Sequence, residues 1–162
     1  MSELSALLDN SVLLWSLLSC LIAQFFKIIF NFLSTGKIRF GIMFETGGMP
    51  SSHSALITGA TSGIGLQLGF DSPIFALAIA VSLIIMYDAS GVRRSAGIQA
   101  AEINKLSKKL DPKAEVGLKE TLGHTKFEVI VGSFLGPLIT LPGIVFIGSP
   151  IDFLKIIGLI TV

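Results

Sequence analysis

Two histidines occur in this chain, and each stands beside groups that suit it to phosphoryl transfer. Glu128 follows His124 by four residues, so on a helix its carboxylate sits one turn away on the same face, where it orients an imidazole and favours the positive form. His53 follows Pro50-Ser51-Ser52, a run that pre-sets a turn and caps a helix, with Ser51 or Ser52 as cap and the backbone N–H groups of the helix start facing an anion. Arg93 and Arg94 add fixed charge and forked donors matched to phosphate oxygens. In such a set one histidine attacks phosphorus, the other protonates the leaving oxygen, and the cations stabilise the transition state. Each residue also has an ordinary reading: a solvated interfacial histidine, arginines that anchor a helix end, and an Asp88 that neutralises them across one turn. Asp88, Glu128 and the two histidines, spread over three helices, show no metal-ligand spacing, so neither a metal nor a cofactor is expected.

These residues fall in three polar clusters, GGMPSSHS at 47–54, YDASGVRR at 87–94 and LGHTKFE at 122–128, each adjoining a stretch without charge. No Asp, Glu, Lys or Arg occurs between Asp9 and Lys27, from Thr46 to Phe70, from Ser72 to Tyr87, or from Val129 to Ile151. A bilayer core about 30 Å thick takes about 20 residues of apolar helix to cross. Transmembrane helices are therefore predicted near 10–33, 52–70, 73–92 and 126–147. A short fifth segment, 150–162, carries Asp152 and Lys155 and reads as an incomplete span or an interfacial helix. The expectation is an all-α integral membrane protein, a single domain over 1–162 built as a bundle of about four to five helices. Composition agrees: 51% of residues are hydrophobic and 14% charged, against about 25% charged in soluble domains. A net charge of +1 argues against a nucleic-acid partner, and the single Cys20 excludes an internal disulfide or a Cys-based zinc site. The first apolar segment is led by Glu3 and Asp9, not by basic residues, and reads as a retained helix instead of a signal peptide.

Charge also orients the bundle. With the N-terminus outside, Lys37 and Arg39 fall in the first inner connection. Arg93, Arg94, Lys105, Lys108, Lys109, Lys113 and Lys119 fall in the inner loop 93–125, and Lys27 and Lys126 lie near inner helix ends. Glu3, Asp9, Asp71 and Asp152 mark the opposite side. This positive-inside pattern places all three clusters at the cytoplasmic face. Small-residue stripes, Ala55/Gly59/Gly63 and Gly132/Gly136, predict close helix approach. Pro137 and Pro142 are expected to kink or break the last long helix. Ile103, Leu106 and Leu110 recur at helical spacing in 99–110 beside Lys105, Lys108 and Lys109, which reads as an interfacial extension or a plain solvated helix ended by Asp111-Pro112. Thr58–Gly65 matches a TGxxxGxG nucleotide loop in letters only: no strand precedes it, and the single Tyr87 has no lysine four residues on.

Over about residues 20–140 the chain resembles the type 2 phosphatidic acid phosphatase and vanadium haloperoxidase superfamily, most closely its small divergent membrane branch. GGMPSSHSA carries the resemblance most specifically, followed by YDASGVRR and LGHTKFEV. The resemblance implies that His53 is the acid histidine of a PSGH motif, with Ser52 in place of Gly. It implies that His124 and Glu128 are the nucleophile and orienting acid of H-x3-D, with Glu in place of Asp. The arginine expected six residues before the nucleophile is Leu118, with Lys119 beside it. No K-x6-R-P can be placed, since Ser34 follows Lys27 and Phe44 follows Lys37 by seven. Arg93, Arg94, Lys119 and Lys27 are then the candidate phosphate ligands, together with Ser51 and Ser52. The implied activity is hydrolysis of a lipid-linked phosphomonoester, such as a phospholipid or polyprenyl phosphate, in a bacterial inner membrane or plastid-type membrane. The alternative is a catalytically inactive descendant that binds anionic lipid or acts as an assembly scaffold, with a second copy or another membrane protein as partner.

Overall fold

The computed structural model describes residues 6–7, 9–45, 47–111 and 117–159. Glu3, Thr46, Pro112, Lys113 and the last three residues of the expected fifth segment lie outside the described residues. Helices α1 (Ser11–Thr35), α2 (Ser52–Leu68), α3 (Pro73–Ser90), α4 (Val92–Leu110), α5 (Lys126–Phe146) and α6 (Pro150–Ile156) follow one another, with a 3₁₀ turn at Phe40–Phe44. There is no β-strand among the described residues, and Thr58–Gly65 is helical throughout. Three stretches are long and apolar enough to cross a membrane: α1, α3 continued into α4, and α5. The helix expected over 52–70 ends at Leu68. Its 17 residues span about 26 Å at 1.5 Å per residue, a little under the bilayer core. It is the central helix of the bundle and packs on α1, α3 and α5.

Packing is inverted relative to a soluble domain. Large apolar side chains such as Ile84 (68% exposed) and Phe134 (73%) cover the outside, while Ser16, Ser19, Ser54, Ala55, Thr61, Ser82 and Thr140 are buried. Lipid tails are as apolar as leucine, so helices in a bilayer associate through close contact and hydrogen bonds instead. Ser19 Oγ donates to the Ala55 carbonyl at 3.1 Å, the Thr61 and Ser82 hydroxyls pair at 2.7 Å, and Trp15 Nε1 donates to the Gly148 carbonyl at 2.8 Å. The predicted small stripes face each other. A Cβ at Gly132 would stand 2.3 Å from the Ser51 carbonyl oxygen, and one at Gly136 would stand 2.3 Å from that of Ala55.

The structure corrects two expectations and bounds a third. Of the kink or break expected at Pro137 and Pro142, the break is absent: helix α5 continues through both prolines, as neighbouring helices allow in membrane spans. The inner-loop helix starts at Val92, not Gln99, directly after Gly91. Among the described residues of 150–162, helix covers only Pro150–Ile156, about 10 Å, too short to cross a bilayer.

Gly136→Ala is expected to destabilise the protein by about 1–3 kcal/mol through overpacking against α2. Gly41→Ala, where nothing lies within 4 Å of the added methyl, should leave it unchanged. Thermal unfolding of the detergent-solubilised variants, followed by helical circular dichroism, measures both.

Candidate active site at the helix ends

Helix α2 begins with Ser51 as N-cap: its hydroxyl accepts from the Ser54 N–H at 3.3 Å and from the Ser54 hydroxyl at 2.9 Å. The Ser51 N–H in turn donates to the Glu128 carbonyl at 3.1 Å. Helix α5 begins with a capping box. The Glu128 N–H donates to Thr125 Oγ1 at 3.2 Å, and the Thr125 N–H donates to Glu128 Oε2 at 2.9 Å, which satisfies two orphan donors of the first turn. The same Oε2 lies 3.2 Å from His124 Nδ1. His124 itself is fixed by its backbone N–H, which donates to the Ala89 carbonyl near the end of α3 at 2.9 Å. Gly123 makes this approach feasible: φ is +77°, and a Cβ there would stand 2.3 Å from the Arg94 nitrogen.

Both imidazoles meet at one cavity of about 180 Å³, lined by His53, His124, Asp88, Arg93 and the apolar wall of Ile84 and Ile85. The ring centroids are 6.4 Å apart and the planes tilted by 60°. His53 is exposed, whereas His124 is buried, at 3% exposure. A carboxylate at Nδ1 calls for the proton on that nitrogen and leaves Nε2 as the ring's lone-pair site. That Nε2 is buried and has no hydrogen-bond partner. Arg93 Nε forms an ion pair with Asp88 Oδ2 at the cavity rim.

The remaining sequence candidates lie elsewhere. Arg94 lines a second cavity of about 390 Å³, which it shares with His124, Thr125, Glu128, Gly47 and Gly97. Lys27 is 1% exposed, donates from Nζ to the Glu45 carbonyl at 3.0 Å, and lines a third cavity with Asn31, Gly48 and Glu128. Ser51 and Ser52 are buried, and Lys119 is exposed on the 117–120 segment, away from the histidine cavity. The structure thus sets His53, His124, Asp88 and Arg93 around one cavity, with Glu128 paired to His124; Arg94 shares a neighbouring cavity with His124 and Glu128, Lys27 shares a third with Glu128, and Ser51, Ser52 and Lys119 line none of the three. It also adds parts that sequence reasoning missed. Ala89 holds His124 by its carbonyl, and Asn104 Nδ2 holds the returning segment through the Leu118 carbonyl at 2.9 Å and Glu120 Oε1 at 2.7 Å. The single asparagine of α4, set beside Lys105, was the available signal for Asn104. Among the described residues no three His, Cys, Asp or Glu side chains group as a metal site requires.

The chain belongs to the Divergent PAP2 family, whose model matches residues 8–139. It is similar to the uncharacterized membrane protein YuiD of Bacillus subtilis (strain 168), with 40% identity over 149 residues, covering 83% of this chain and 94% of the relative. No solved structure matches it. Family, relative and apolar helices together make this an integral membrane protein related to the PAP2 phosphatases.

Removing the Glu128 carboxylate should have two separable effects. Glu128→Ala loses half of the capping box, which costs about 1 kcal/mol of stability, and releases His124. Nitrogen-15 spectra of the labelled imidazole should then move from a single Nδ1–H tautomer to a mixture. An unchanged tautomer would show that Glu128 does not hold the ring.

Proposed function

We propose that the protein is a metal-independent phosphatase of lipid-linked phosphomonoesters, working at the cytoplasmic face of a bacterial inner membrane or plastid-type membrane. The observation that carries the reading is the pairing of His124 Nδ1 with Glu128 while Nε2 stays unpartnered, with His53 across the same cavity. Nucleophilic attack needs a nitrogen about 3–3.5 Å from phosphorus, and proton donation needs a second group within about 2.6–3.2 Å of the leaving oxygen. Ring centroids 6.4 Å apart on one cavity support both contacts being made to a single phosphoryl group.

In the first step the Nε2 lone pair of His124 forms the N–P bond as the P–O bond to the alcohol breaks. His53, protonated, gives its proton to the departing oxygen. The phosphorylated ring carries positive charge, which the Glu128 carboxylate stabilises. In the second step water attacks phosphorus and His53 takes its proton. The N–P bond then breaks, which releases orthophosphate and restores both histidines. Arg93, freed from Asp88, neutralises the equatorial oxygens, and the Ile84–Ile85 wall excludes water from the leaving group. The orientation rests on the positive-inside pattern of Lys and Arg, with α2 counted as a crossing helix beside the three longer stretches.

A second reading is favoured by the Arg93–Asp88 pair and by the engagement of Lys27 with Glu45. With those cations already partnered, the cavity would bind an anionic headgroup or a membrane partner without turnover.

His124→Ala should abolish phosphate release from phosphatidic acid and polyprenyl phosphates by the purified protein, and His53→Ala should slow it by about 10²–10⁴-fold. Turnover unchanged in His124→Ala sinks the assignment. Vanadate, a trigonal-bipyramidal phosphate mimic, should inhibit in competition with substrate. Headgroup binding that needs Arg93, with no phosphate released by the unaltered protein, would instead select the second reading.

A further inference from the structure

Helices α3 and α4 follow one another over 38 residues with Gly91 alone between them, enough for about 57 Å of helix, nearly twice the bilayer core of about 30 Å. The 18 residues of α3 cover about 27 Å of crossing. The chain must therefore leave the hydrocarbon near Gly91, whose φ of −108° and ψ of −86° interrupt the helical backbone. Beyond Gly91, α4 has distinct faces. Val92, Ile103, Leu106 and Leu110 recur along one side and are all exposed, Leu110 at 80%. A third of a turn around, Gly97, Ala100 and Asn104 are buried. There Asn104 holds Leu118 and Glu120, and a Cβ at Gly97 would stand 2.7 Å from the Glu120 carbonyl oxygen. The rest of the surface is net basic, with five basic side chains and one acidic in VRRSAGIQAAEINKLSKKL; Glu102 pairs with Lys105 at 2.7 Å on an exposed face that screens the pair, and Ile98 is also exposed. Lys105 and Lys109 lie on the flank between the apolar ridge and the fully polar side carrying Lys108.

We propose that α4 docks on the surface of an anionic bilayer leaflet, with Val92, Ile103, Leu106 and Leu110 among the acyl chains and Lys105 and Lys109 reaching anionic headgroups. An exposed apolar ridge flanked by long cationic side chains is the pattern by which a helix lies in the interface plane, and the lysine excess matches a negatively charged leaflet. Docking also steadies the segment that delivers His124, because the buried face of α4, a third of a turn from the ridge, carries residues 118–123. The proposal is independent of hydrolysis.

The test uses the full chain in a Cys20→Ser background, reconstituted in nanodiscs of phosphatidylcholine with or without phosphatidylglycerol. Nitroxide labels at Leu106→Cys and Lys108→Cys report collision with oxygen, which concentrates in lipid, and with a nickel complex, which stays in water. In discs containing phosphatidylglycerol, the oxygen-to-nickel ratio should be several-fold higher at position 106 than at 108. That difference should shrink in phosphatidylcholine alone and in Lys105→Gln/Lys109→Gln. Equal nickel access at both positions in every disc would mean that the helix stands in water. Protection indifferent to phosphatidylglycerol and to the lysines would remove the anionic surface, and protection seen only where two copies share a disc would assign the ridge to a second copy. Each of these results overturns the proposal.

Discussion

The arrangement turns on Glu128, whose polar atoms join three parts of the chain. Its carboxylate caps α5 and holds the His124 ring, and its carbonyl receives the first N–H of the α2 cap. Helix ends leave donors unsatisfied, and in a bilayer little water is available to satisfy them. The starts of α2 and α5 are thus anchored on each other, which sets the depth at which both histidines emerge. The glycine contacts deeper in the bundle act in the same direction: with hydrogen in place of a side chain at Gly132 and Gly136, α5 lies against the carbonyls of α2.

The extra methylene of Glu128 has a physical role here. At the third helical position a glutamate reaches back to the cap N–H, as the capping box requires, while His124 sits just before the cap. One oxygen can then serve both the backbone and the imidazole. The difference between this chain and the H-x3-D pattern it resembles thus coincides with a second structural duty for the acid.

Much of the architecture was legible because lipid imposes a simple rule: charge-free stretches became α1, α2, α3 and α5 with ends shifted by a few residues. Facing small stripes were equally legible, since few other residue types allow such close backbone approach. The start of α4 was hidden because Val92–Ile98 has no apolar period of its own, and continuity from α3 carries the helix through it. In the candidate site the histidines and Glu128 were readable from spacing, but the cations were not. Arg93 and Arg94 are neighbours in sequence, yet successive residues point about 100° apart on a helix, so Arg93 lines the cavity between the two histidines while Arg94 lines another, shared with His124 and Glu128. Lys27 was placed by charge alone, and its burial depends on Glu45, a residue 18 positions away that no local pattern pairs with it.

The unpaired Nε2 of His124 also bears on descent. Thr125 and Glu128 would be kept by any chain that has to begin α5, whether or not it catalyses anything. The imidazoles are different: among the described residues His53 makes no hydrogen bond, and the outer nitrogen of His124 stabilises nothing in the fold. Exposed His53 could be exchanged at little structural cost, whereas replacing buried His124 would leave its volume unfilled and Glu128 without its imidazole partner. Under the proposed function, the pair of rings facing one another across a cavity is the part of the site that helix capping and helix packing do not account for.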